Sequence, residues 1–208
     1  MALRLIEAPD DLPVSVAEVK AHLGIADSFT ADDALLESLI QAAVGDAENR
    51  TRRQFCPATW ELILDAFPIY TRANPIAAIE LPRPPLVDVV SIKYTDTEGV
   101  EQTMLSGAYV VDQDSLPGRV YPAYGTAWPS TLDAPGAVVV RFSCGWAMTA
   151  ETSPESWTGP EDIQTWLKVR VATLYGLREQ VVIGQTVAEA PRSFVDCLLD
   201  RHTVPMVV

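Results

Sequence analysis

Apolar positions along the chain change their period twice. Between residues 30 and 55, Leu35, Leu36, Leu39, Ile40, Ala43, Val44 and Ala47 fall at the i, i+3, i+4, i+7 spacing of one helix face. Thr30 is the expected N-cap, and Asp33 three residues on can return its hydrogen bond. Asp32, Asp33 and Glu37 stand near the positive end of the helix dipole, and Arg50, Arg52 and Arg53 near the negative end. A helix over about 31–53 would be roughly 35 Å long, and its wide apolar face demands partners. Shorter helical patterns supply them. Ser15 and Glu18 frame a helix over 15–23 that Gly24 ends. Pro160 opens a helix over 160–180, with Ile163, Trp166, Leu167, Val171, Leu174 and Tyr175 on one face. Pro191 precedes a last helix over 192–201, with Phe194, Val195, Leu198 and Leu199 on one side.

Between these helical stretches the period becomes two. Residues 60–66 (WELILDA), 87–95 (VDVVSIKYT) and 109–113 (YVVDQ) alternate, and 137–144 (AVVVRFSC) is a continuous apolar run suited to a central strand. Residues 96–99 (DTEG) read as a hairpin turn into a strand over 100–105, and 106–107 and 117–118 as further turns. Ten of the 16 prolines lie between Pro57 and Pro135, which confines several strands to sheet edges. The fold class is therefore α+β: a helical bundle built on the long helix, with a small antiparallel sheet of five to seven short strands inserted. Residues 1–56 carry the first bundle helices after an irregular lead-in over 1–13. Residues 57–146 are the β-rich insertion, 147–159 a mobile polar loop, and 160–208 the remaining helices with an apolar tail. Residues 181–190 (VVIGQTVAEA) read as a linker or short strand pair.

Charge narrows the choice of partners. The 208 residues carry 28 acidic and 15 basic side chains, a net charge of −13. Such a surface repels phosphate backbones and argues against sequence-specific DNA binding, while allowing a duplex to pass without sticking. No run approaches the ~20 apolar residues of a membrane span, and the first residues carry no secretory pattern. Three cysteines, widely spaced, form neither a metal cluster nor a disulfide framework, which fits a reducing cytoplasm.

Candidate chemistry is sparse. Cys197 and His202 could form a nucleophile pair, but Cys197 beside Leu198 reads better as a buried, inert thiol. Asp32, Asp33 and Glu37 are explained by their place on the helix. Asp96, Asp112 and Asp114 lack a calcium-loop spacing, and no phosphate loop, zinc spacing or nucleophile elbow occurs. Thr51, Arg52 and Arg53 could hold an anion, although a solvated helix end accounts for them more simply. Tyr109, Tyr121, Tyr124 and Trp128 could form a sugar platform, although a small β core uses such residues more often. No catalytic, cofactor-binding or metal-binding residue is therefore assigned. The segment Thr203, Val204, Pro205, Met206, Val207 and Val208 is apolar after its first residue and is a candidate for docking on another chain.

Four passages, in order, resemble the head-tail connector family of tailed phages and prophages, also called adaptor or head-completion proteins. They are VSVAEVKAHLGI with DDALLESLIQAAVGDAENRTRRQF and CPATWELILDAFP; IELPRPPLVDVVSIKYTDTEGVEQTML with SGAYVVD; PGRVYPAYGTAWPSTLDAPGAVVVRFSCGW; and DIQTWLKVRVATLYGLREQVVIGQTVAEAP. Together they cover most of residues 14–200. Gene-transfer particles built from phage genes carry similar proteins. The resemblance implies a structural protein and no enzyme: a ring, commonly a dodecamer, that sits under the portal protein and extends the DNA channel. It also implies that the ring offers the stopper or tail-completion protein a docking surface. Its place would be the neck of a virion or phage-like particle assembled in the bacterial host cytoplasm. Residues 203–208 would engage the portal and order on binding. Two rival readings are a particle-associated cell-wall hydrolase and a carbohydrate- or receptor-binding module. The hydrolase requires paired carboxylates with raised pKa in a deep pocket. The binding module requires the aromatics of 109–128 exposed together on one face.

Overall fold

A computed structural model describes residues 1–71, 74–149, 156–177 and 192–205. The chain is mixed α and β and divides into two compact units. The first comprises Met1–Asp10 and Pro57–Trp146, the second Asp11–Cys56 and Ala147–Val208.

The first unit holds eight strands among the described residues: β1 (Ala2–Glu7), β2 (Ala58–Leu64), β3 (Ile79–Leu81), β4 (Leu86–Thr95), β5 (Glu101–Thr103), β6 (Tyr109–Asp112), β7 (Gly118–Pro122) and β8 (Val138–Cys144). Five form an antiparallel sheet in the order β1-β2-β8-β4-β5, and three form a second sheet, β3-β7-β6. The apolar run expected to be central is β8, flanked by β2 and β4. Val138, Val140, Phe142 and Cys144 face inward, and Arg141 between them faces solvent. Val140 lies opposite Leu62 of β2 and Ile92 of β4. Ile79, Leu81 and Val120 of the small sheet join the same core, which Phe67 completes.

Two strands depart from the sequence reading. The lead-in expected to be irregular contains β1, which pairs with β2 from Ala2 opposite Ile63 to Glu7 opposite Thr59. Five of its six residues are exposed, so it shows little alternation to read. In β4 the register breaks between Leu86 and Asp88 and again between Val89 and Ser91. Each break adds a residue, so the buried positions are Leu86, Val89 and Ile92, and Val87 and Val90 face solvent. The expected turn after β4 is present. The Asp96 carboxylate accepts the Glu98 and Val100 N–H groups at 3.0 and 2.9 Å, and Gly99 takes φ +82°.

The second unit holds four helices among the described residues. In α1 (Val16–Leu23), Ser15 and Glu18 form the expected capping box, and Gly24 closes the helix at φ +70°. The long helix, α2 (Asp33–Thr51), has 19 residues, about 28 Å. Leu36, Ile40, Ala43, Ala47 and Thr51 are its buried stripe, while Leu35 faces solvent. Its start differs from the expected one. Asp32, not Thr30, is the N-cap, and its side chain makes no cap bond. A carboxylate oxygen of Asp32 instead accepts the Tyr175 hydroxyl, and Asp33 pairs with buried Lys20. The stretch expected to be a polar loop carries two short strands, β9 (Met148–Thr149) and β10 (Ser156–Trp157), paired antiparallel; residues 150–155 lie outside the described residues. Trp157 is buried, and its indole N–H donates to the Phe55 carbonyl at 2.8 Å. Then follow α3 (Glu161–Gly176), with Pro160 as N-cap, and α4 (Arg192–Asp200). Ile163, Trp166, Leu167 and Val171 bury the inner face of α3. The linker expected over 181–190 lies outside the described residues.

Candidate functional site

Several of the residues proposed for chemistry are engaged in contacts within the fold. Cys197 is exposed, contrary to its expected burial, and the His202 ring Nε2 sits 2.8 Å from an Asp162 carboxylate oxygen. Cys56 and Cys144 are the buried cysteines, and desolvation pushes the Cys56 thiol up to about 12, far from a reactive thiolate. Glu61 of β2 is buried between Arg4 of β1 and Arg141 of β8, its direct cross-strand neighbours. Burial alone would raise its carboxyl, but hydrogen bonds from the two arginines outweigh that and hold it below the usual range. Among the described residues no group of three or more His, Cys, Asp or Glu could hold a metal ion. Among them also, no helix is long and apolar enough to cross a membrane.

The aromatics do not share a face. Tyr109 lies opposite Pro122 and Tyr121 opposite Val110, so the two rings project to opposite sides of the small sheet. Trp128 stacks on Phe67 at 4.7 Å and donates its indole N–H to the Ala77 carbonyl at 2.7 Å. Tyr124 stands fully in solvent. A groove of about 320 Å³ beside Trp128 is lined largely by apolar groups of Phe67, Pro68, Ile69, Tyr70 and Pro129.

What the second unit does build is a clasp on its last described residues. Thr203, Val204 and Pro205 follow α4, and of these Val204 is buried. The Val204 N–H donates to the Thr51 carbonyl at 3.0 Å. Arg52 donates to the Val204 carbonyl at 3.2 Å, and Arg53 to the His202 carbonyl at 2.6 Å. From α3, Asp162 receives His202 and Arg201. Burial would raise the Asp162 carboxyl, but hydrogen bonds from His202 and Arg201 more than offset it and hold it low. One turn back, Arg50 pairs with Asp196 of α4 at 2.9 Å and lies over the Trp166 ring. The arginine bond depresses the Asp196 carboxyl. Of Thr51, Arg52 and Arg53, read from sequence as an anion site or a solvated helix end, Thr51 and Arg53 are buried, and Arg52 and Arg53 donate to carbonyls 152 and 149 residues away. Arginines at a helix end are a visible signal, but nothing local names their acceptors. Thr203 and Pro205 are exposed beside the clasp, and Met206, Val207 and Val208 lie outside the described residues.

A family model described as the phage gp6-like head-tail connector protein matches residues 13–121, just over half of the chain. The chain belongs to this head-tail connector family. Its role is that of a structural component joining head and tail, with no enzymatic activity. No curated protein matches the sequence. Several solved structures do. A chain in the neck of an empty gene transfer agent particle with C6 symmetry is 24% identical, with a TM-score of 0.75 over 100% of this chain and 98% of that one. A chain in the virion of a native gene transfer agent particle is 25% identical, with the same TM-score and coverage. A chain in the neck of the native particle with C12 symmetry is 23% identical, with a TM-score of 0.71 over the same shares.

Proposed function

We propose that the protein is the ring-forming adaptor in the neck of a tailed phage or gene transfer agent particle. One observation carries this reading: the whole chain matches chains from particle necks and a virion, two of them with C6 and C12 symmetry. In this reading twelve copies close a ring through a head-to-tail contact, as rotational symmetry requires. Helices α1, α3 and α4 bundle around α2 as the ring body. The ring sits between the portal and the stopper or tail-completion protein, and DNA passes through it without sequence-specific contacts. The net charge of −13 supports this, because an acidic wall repels a duplex.

Residues 203–208 are the proposed portal contact. The burial of Val204 divides that segment. Val204 is the root, and the chain from Pro205 onward is the part that reaches the portal. Removing 203–208 entire would also pull Val204 from the fold, so the informative deletion is 206–208. Particles made with that truncation should accumulate filled heads and free tails, seen by electron microscopy, while the purified protein keeps its Tm. Joined, infectious particles at normal yield would reject the portal contact. A neck reconstruction with this chain outside the head–tail junction would reject the adaptor reading itself.

A further inference from the structure

Charge limits where two copies of this chain can touch. Each carries a net charge of −13, so copies repel except where their surfaces are uncharged. The groove of about 320 Å³ beside Trp128 is such a surface: none of its ten lining residues is charged, although 21% of the chain is. Ile69 and Tyr70 stand exposed at it, and Phe67, stacked on Trp128, belongs to the core beneath. The Trp128 indole N–H already donates to the Ala77 carbonyl, so that ring offers the groove carbon surface only. A hydrogen-bonding ligand finds no donor there, whereas an aliphatic side chain needs none. A ridge of the right chemistry stands on the other face of the five-stranded sheet. The Met104 N–H donates to the Ile92 carbonyl, which carries the β4–β5 pairing past Thr103 and sets Leu105 beside the bulge at Val90. Leu105 is 80% exposed and Val90 57%. Val90 lies on the face that carries Arg141, whereas Phe67 and Trp128 pack on the inward side with Val138, Val140 and Phe142. Two unlike patches on opposite faces are what a head-to-tail contact joins.

We infer that the groove at Phe67 and Trp128 of one copy receives Leu105 and Val90 of the next, and that this contact repeats around the ring. The inference rests on the ring reading proposed above and assigns that ring its copy-to-copy surface. The groove has room for both side chains, and its uncharged lining lets two acidic copies approach. An aliphatic side chain fully buried is worth roughly ten- to a hundredfold in affinity. In a closed ring each copy makes the contact twice, once through its groove and once through its ridge, so a modest contact holds firmly.

The test places cysteines at the two patches of the full chain, in a Cys197→Ser background because Cys197 is the exposed native thiol. Particles are assembled with Ile69→Cys, with Leu105→Cys or with both, and treated with a short bismaleimide. The double variant should give a ladder of linked copies on a denaturing gel, and each single variant none. In parallel, Leu105→Asp and Tyr70→Asp should each raise by about tenfold the protein needed to fill purified heads that lack it. Their Tm should stay unchanged, because both side chains are exposed, and Leu105→Met should fill heads as the natural chain does. A neck holding its full number of copies but giving no ladder would overturn the inference and leave the ring reading standing. Cross-links running from the groove to a different protein of the particle would do the same, as would undiminished filling by both Asp variants. If the chain is absent from the neck, the ring reading itself fails, and this contact with it.

Discussion

Glu61 shows what a single buried carboxylate does here. The side chains of its neighbours Arg4 and Arg141 are 62% and 44% exposed, so water can resolvate them if Glu61 is lost. The cost of Glu61→Gln should therefore lie below that of breaking a fully buried pair, at about 1–2 kcal/mol near neutral pH. Its folded-state pKa is depressed, so its contribution is present above the unfolded carboxyl value of about 4.3. It is lost as pH falls through the lower folded value. Urea unfolding should show the wild-type and Gln curves converging below about pH 4, and a constant gap would contradict the assignment. The arginines on either side of Glu61 alternate with apolar neighbours in the sequence, yet the triad was not legible. It depends on three strands meeting in register, one of them unrecognised.

At the scale of elements, caps and interior glycines set local helix stability. Ser15→Ala removes the side-chain acceptor for the Glu18 N–H and the hydroxyl's bond to the Glu18 carboxylate, leaves the reciprocal bond from the Ser15 backbone N–H in place, and should cost about 1 kcal/mol. Gly45 lies within α2, and a Cβ there would meet nothing within 4 Å. Gly45→Ala should thus stabilise the isolated protein by up to about 1 kcal/mol, read as a rise in Tm; a fall would mean the helix is not the resting state of that segment. Helices with strong punctuation, such as α1, were legible almost to the residue. The start of α2 was not. Thr30 has the right chemistry for a cap, but Tyr175 and Lys20, both distant in sequence, draw Asp32 and Asp33 into other bonds. In β4, period two failed because two bulges change the phase, and a bulge is decided by what the partner strand offers.

At the scale of the whole molecule, charge and assembly govern behaviour. Acidic residues outnumber basic ones by nearly two to one. The purified protein should not retard duplex DNA in a gel at physiological salt, even at high protein concentration, and salt-sensitive retardation would contradict the conducting role. The clasp at the end of α2 belongs to this scale as well, since its two arginines join the longest helix to the segment proposed to meet the head.

By itself the sequence determined the periodic elements, the central place of β8, the acid excess and the family. Each of these is written in local spacing, in simple totals or in the order of long passages. Only the tertiary structure decided that residues 2–7 form a strand, that Glu61 sits between two arginines, and that Arg52 and Arg53 clasp Val204 and His202. Those outcomes depend on which distant groups meet. A side chain's periodicity tells which way it faces, and nothing about what will be waiting there.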